Sequence, residues 1–348
     1  MQDPIPVLIP GVVDFAVWIA TTGIMLAIAI PFTGILVRYR ANYTPKTGAV
    51  HLDDEAALDT AAAPRVDASI GYFGMLKRVY RLEGWAGLYK GTMPTIVAAI
   101  IALGVRALVR VLQFTGPTVP PLIPLLQWTI QLGRSTIPAL LIFPMQIIIN
   151  RAITTPYKLA AFPPRIALRT LLSPAERAQP LRLYLAPGVA LSIFLEACVV
   201  FALQLSTNFL FGLPSPSWKS AAVLGTLVPA LVLGTLFITP LEVLTARLTL
   251  QRRRGPGPGA SSGVEATAAA DPVPLYSAEP VMDFRPVLDI GTDAVAEEGG
   301  EEPYTGLLDC ARKIVAEEGW GVLARAWWLN AALMALAGTS LIIRAGGN

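Results

Sequence analysis

The sequence predicts an all-α membrane protein, six transmembrane helices arranged as three helix–surface helix–helix repeats. Three observations carry this expectation. The 348 residues are 54% hydrophobic and only 15% charged, whereas a water-soluble domain carries about 25% charged residues. Six stretches are apolar and long enough to cross a bilayer, which takes about 20 helical residues each. Two kinds of short motif also recur along the chain, and internal repetition decides architecture before any single segment does.

The six apolar runs are 12–39, 95–114, 123–151, 189–211, 221–248 and 327–343, interrupted by few charges: Asp14, Arg106, Arg110, Arg134 and Glu196. Backbone groups in hydrocarbon must be satisfied within their own segment, so each run is expected to be a helix. The first, third and fifth runs share a pattern. Pro31, Pro144 and Pro240 are each followed seven residues later by arginine, at Arg38, Arg151 and Arg247. Proline inside a helix frees a carbonyl and bends the axis. Three helix kinks at matching depth would bring three helix ends together.

Polar and amphipathic stretches separate the runs. An acidic, Ala-rich insertion at 41–69 precedes an amphipathic segment at 73–81, with apolar residues at helical spacing. That segment leads into Glu83-Gly84-Trp85 and then Lys90-Gly91. A partial copy, Glu318-Gly319-Trp320 followed by Arg325, closes a second amphipathic segment at 304–317. The insertion at 252–303 opens Arg252-Arg253-Arg254-Gly255-Pro256 and ends Glu301-Glu302. Its composition predicts disorder, because it offers little apolar surface to bury. The middle repeat is the least regular: 165–172 is its expected surface helix, and Leu183 to Gly188 faintly echo Tyr89 to Pro94. The repeats are then 1–116 with insertion 41–69, 117–215, and 216–348 with insertion 252–303.

Several classes are excluded or disfavoured. A net charge of +3 is too small to argue for nucleic acid. Cys198 and Cys310 make no disulfide framework and no metal spacing, and His51 stands alone beside Asp53, Asp54 and Glu55 in a solvated stretch. There is no nucleophile–base set, metal cluster or phosphate loop, so no enzyme activity, cofactor or metal is expected. The first ten residues lack both a basic signal-type start and a transit-peptide pattern, so any targeting is expected to be internal.

On Glu83-Gly84 to Lys90-Gly91, Pro240-Leu241-Glu242 to Arg247, and Glu318-Gly319, nearly the whole chain resembles the mitochondrial carrier family. The resemblance implies a six-helix bundle with pseudo-threefold symmetry and a central cavity between kinked odd-numbered helices. It implies alternating-access transport of a small metabolite across a mitochondrial membrane, the inner one first and the outer as the alternative. It also implies membrane lipid, cardiolipin included, as a partner. The family gates its cavity with an acid and a base on each odd helix. Here the acid positions hold Thr33, Gln146 and Glu242, and the base positions hold Leu36, Ile149 and Thr245. A second base persists at Arg38, Arg151 and Arg247, and Glu242 is expected to pair with Arg38 or Arg151. The opposite gate has no acid at 109–114, 203–208 or 341–344, leaving Arg110, Gln204 and Arg344 as polar candidates. Candidate substrate-binding residues are Arg106, Arg134, Glu196 and Asn330, with Ala98 and Leu333 at the contact level and Pro187 aligned with Pro94. An intramembrane charge is a functional hypothesis by default; for Glu196 the alternative is a structural pair with Arg134. Two readings stay open: a solute carrier, and a non-transporting outer-membrane scaffold for fusion or protein insertion that binds a protein partner through 252–303.

Overall fold

The structure, a computed structural model, describes residues 5–46, 70–115, 124–159, 164–211, 225, 228–229, 231–251, 274–277, 279–285 and 303–335. Among them the chain is predominantly helical, and the one β-type contact is an isolated antiparallel bridge between Tyr157 and Leu275. The long helices are α1 (Ile5–Ala41), α3 (Thr92–Thr115), α4 (Pro124–Thr154) and α7 (Val189–Phe211). The helix at 231–250 contains a π turn, Gly234–Ile238, and continues as α8 (Thr239–Leu250). Shorter helices lie between them: α2 (Tyr72–Leu88), α5 (Pro164–Leu171), α6 (Pro174–Ala178) and α9 (Leu307–Glu317). A last helix, α10, occupies 327–335.

Among the described residues, four segments are long and apolar enough to cross a membrane: Ile19–Ala41, Thr92–Val109, Trp128–Thr154 and Leu231–Leu250. The apolar stretch of α7, Val189–Leu203, is shorter. The sixth expected run is helical through residue 335, and its remainder lies outside the described residues. These helices leave Ile24, Met25, Ile28, Ile100, Leu141 and Leu236 exposed. Apolar side chains facing outward along a long helix suit hydrocarbon as their surroundings.

The helices run through Pro31 and Pro144, with Pro138 also inside α4. Proline at 31 cannot bond the carbonyl of Ala27; the Tyr89 hydroxyl donates to that carbonyl at 3.2 Å. In α4 the Tyr184 hydroxyl donates to the Leu141 carbonyl at 2.8 Å, one residue past the Leu140 carbonyl that Pro144 cannot bond. At Pro240 the π turn absorbs the mismatch before the α-helix resumes.

Burial concentrates where α1, α4 and α8 end. One apolar cluster joins Phe143 and Ile147 of α4 to Val243 and Leu248 of α8 and to Leu307, Cys310 and Ile314 of α9. A second joins Ile35 and Leu36 of α1 to Met75 and Val79 of α2, with Leu250 and Met282. Met282 belongs to the stretch 252–303, expected to be disordered. Its residues 274–277 and 279–285 are instead packed on the helices, because Val281, Met282 and Phe284 form a local apolar run that the average composition conceals.

Candidate functional site

Arg38, Arg151 and Arg247 sit in the last turns of α1, α4 and α8 and are 2%, 2% and 0% exposed. The last carbonyls of a helix have no partner within it. Here each arginine supplies donors to the next helix of the set. The Nε of Arg38 donates to the Ile153 carbonyl at 3.1 Å, that of Arg151 to Thr249 at 3.0 Å, and that of Arg247 to Arg40 at 3.1 Å. Ile153, Thr249 and Arg40 each lie two residues past the arginine of their own helix, so one bond is made three times around a closed circle. The carbonyls two residues further on are also satisfied: Thr155 by Lys90 at 2.7 Å, Gln251 by Arg151 at 2.8 Å and Asn42 by Arg247 at 2.7 Å.

Three buried positive charges need three negative ones. Glu83 accepts from Arg38 Nη2 at 2.7 Å and from Lys90. Glu176 takes Arg151 through both oxygens, at 2.7 and 3.0 Å. Glu318 accepts from Arg247 at 2.9 Å. Local structure explains how two of these glutamates reach inward. Gly84 and Gly319, with φ of 65° and 101°, turn the chain sharply after Glu83 and Glu318. A Cβ at Gly87 would lie 2.2 Å from that of Glu83, so only glycine there leaves room for the carboxylate. Glu176 is held differently, by a capping box in which Ser173 and Glu176 exchange hydrogen bonds of 3.2 and 3.0 Å.

A left-handed residue precedes each of α3, α7 and α10: Gly91 (φ 84°), Gly188 (φ 76°) and Ala326 (φ 59°). This places Pro187 level with Lys90 and corrects its alignment with Pro94, since the turn and not the proline is what repeats. Burial shifts two cations at this end. Burial pulls the Lys90 amine down to about 8, the Glu83 charge opposing this and the Arg38 charge adding to it. Burial, then the neighbouring Arg247, brings Arg325 down to about 10 against the pull of Glu318.

A second polar cluster lies between the helices. Glu242 pairs with Arg40 at 2.7 Å, not with Arg38 or Arg151 as the sequence suggested, because those arginines are committed to Glu83 and Glu176. Asn330 donates to Glu242 at 2.6 Å and to Thr239 at 2.9 Å, and accepts from Arg40 at 3.3 Å. Thr245 contacts Glu196 at 3.5 Å and Ser192 at 2.6 Å. Side chains of α1, α7, α8 and α10 thus meet, bringing together Glu196, Glu242 and Asn330. Glu196 forms no ion pair among the described residues. The side chains of Arg106, Arg110, Arg134 and Gln204 lie outside the described residues, as do Arg344 and His51. Gln146 donates to Asn150 at 3.0 Å, and Asn150 to Thr249 at 2.8 Å, an uncharged link between α4 and α8.

Sequence reasoning missed Arg40 and Glu176. Arg40 lacks a counterpart at the matching positions Ile153 and Thr249. Glu176 carries the Ser-x-x-Glu capping signature, which was the available signal. No protein-family model matches the chain, and none of the curated proteins compared with it matches.

Proposed function

We propose that the chain is a carrier-type membrane protein, similar in plan to the mitochondrial carriers, that moves a small solute by alternating access through the space between its helices. The observation that carries this reading is the cyclic set of bonds from Arg38 to Ile153, Arg151 to Thr249 and Arg247 to Arg40. Three helix ends drawn to one point, with a charged cluster between helices beside them, suit a cavity closed at one end. That cluster holds Glu196 and Glu242 against Arg40. Two carboxylates to one guanidinium fit a solute bearing a positive group. Binding at the middle of discontinuous or bent helices is a recurring arrangement in transporters. Purified protein in liposomes should take up or exchange amino-bearing solutes, and Glu196→Gln should slow that uptake at least tenfold. A broad metabolite panel with no exchange would count against the reading.

One observation favours the second reading, a non-transporting scaffold in the outer mitochondrial membrane. Arg40–Glu242 is the single ion pair joining long helices at the closed end among the described residues; the other links are arginine-to-carbonyl and amide bonds. A gate that reopens is simpler to build from exposed ion pairs than from nearly fully buried guanidinium groups. Protease treatment of intact mitochondria separates the two locations: cleavage at Arg252–Arg254 with the outer membrane unbroken excludes a matrix-facing loop.

A further inference from the structure

The residues that end α1 and α4 are held by a third party. Residues 274–277 and 279–285 run across them and also reach α2, the end of α8 and α9. At the α4 exit, Lys158 N donates to Pro274 O at 2.8 Å and Tyr276 N to Pro156 O at 3.1 Å. The Tyr276 ring lies 4.2 Å from the Lys90 ammonium and 5.5 Å from that of Lys158, within cation–π range. Glu279 bonds Arg78 of α2 at 2.7 Å, and Arg78 also reaches Pro280 O at 2.8 Å. Met282 is buried with Met75, Val79 and Leu250. At the α1 exit, Tyr43 N donates to Asp283 O and Asp283 N to Asn42 Oδ1, both at 2.9 Å. Arg285 ends the run, paired with Glu317 of α9 at 2.7 Å and lying over the Tyr304 ring at 4.8 Å.

Two facts make this more than a packed loop. The segments it grips, Asn42–Tyr43 and Pro156–Lys158, directly adjoin the carbonyls that hold this end together, Asn42, which accepts from Arg247, and Thr155, which accepts from Lys90. Moving α1 away from α4 therefore breaks the backbone bonds at one exit or the other. Thr33 and Leu36 of α1 and Gln146 and Ile149 of α4, the positions at which the carrier resemblance would expect opposed charges, hold no charge.

We propose that residues 274–277 and 279–285 are an in-built clamp: they hold this end of the bundle shut where Thr33, Leu36, Gln146 and Ile149 offer no ion pair, and must release before α1 and α4 can part. The role of release in solute movement rests on the transport reading; the clamp itself does not. The test uses full-length protein in nanodiscs with Cys198 and Cys310 replaced by alanine and spin labels at Pro45→Cys and Leu159→Cys. The unaltered clamp should give one narrow distance. Glu279→Ala with Arg285→Ala should add a longer-distance population of at least a quarter of the molecules. A single unchanged distance in a folded double variant overturns the clamp. Should the double variant fail to fold, Arg285→Ala alone is measured. Hydrogen exchange on the unaltered protein supplies a second readout: the amides of Tyr43, Lys158, Tyr276 and Asp283 should open at one common rate, and four unrelated rates overturn the proposal. Uptake in liposomes then separates the two ideas. Longer distances without uptake of any solute keep the clamp and sink transport. Uptake that the double variant leaves unchanged, with distances unchanged, sinks the clamp and keeps transport.

Discussion

Glu83 does the most for its size. It is the one anion between two buried cations, Arg38 and Lys90. Glu83→Gln leaves both cations facing a neutral amide, and losing one partner of a buried pair costs about 3–5 kcal/mol. Lys90→Met should cost clearly less, because Arg38 and Glu83 still neutralise each other. Thermal unfolding of the two variants in the same detergent checks the order. The pH dependence of Lys90 follows from its lowered value. The amine titrates at about 8 when folded and at 10.5 in the unfolded chain. Below about 8 both states hold the proton and the penalty of burying the charge is complete. Between about 8 and 10.5 the unfolded chain binds the extra proton, so stability from this group rises with pH. The stability of the unaltered protein relative to Lys90→Met should therefore increase from pH 7.5 to pH 10; a flat or falling difference refutes the assignment. Gly87→Ala is a further check, since its methyl group would meet the Glu83 side chain and push the carboxylate off its partners. Its loss of stability should approach that of Glu83→Gln.

Among the elements, the turn before each inward-running helix is the informative one. Gly91 and Gly188 take left-handed φ at no steric cost, but Ala326 does the same at φ 59°. A non-glycine residue there costs roughly 1–2 kcal/mol, and glycine returns part of that as unfolded-chain entropy. Ala326→Gly should stabilise the protein by about 0.5–1 kcal/mol, read as a rise in melting temperature. Gly188→Ala should do the reverse and by more, because its Cβ would lie 2.4 Å from the Leu307 amide nitrogen. These turns were half legible. Glu83-Gly84 and Glu318-Gly319 repeat in the sequence, so two of three carboxylates could be named. The third could not, because Glu176 lies 25 residues from its arginine while Glu83 and Glu318 lie 45 and 71 away. Nothing periodic connects those spacings; they reflect surface segments of different length that end at the same place. The apolar stretch around Met282 was hidden for another reason: its neighbours in 252–303 are Gly, Pro, Ala and Glu, and averaging over them erased it.

At the scale of the molecule, Arg38, Arg151 and Arg247 were legible as a recurring proline-to-arginine pattern, while the direction in which they reach was not. Each serves the helix ahead of it, which only coordinates reveal. Links that close a circle share their load, so they should not act independently. Arg38→Met and Arg151→Met, combined, should deviate from the sum of the single changes by at least about 0.5 kcal/mol, as expected for coupled residues. A double-mutant cycle from unfolding data tests this, and strict additivity would show three separate braces. The circle also has a consequence for synthesis. Two of its links join neighbouring thirds of the chain and can form as those thirds enter the bilayer. The last runs backward, from Arg247 to Arg40 and Asn42, and its counter-charge at Glu318 also grips Thr44. Until the segment that carries Glu318 has left the ribosome, the assembly is a horseshoe with an unlatched gap between its first and last arms, a stage at which an insertion chaperone would have to guard it.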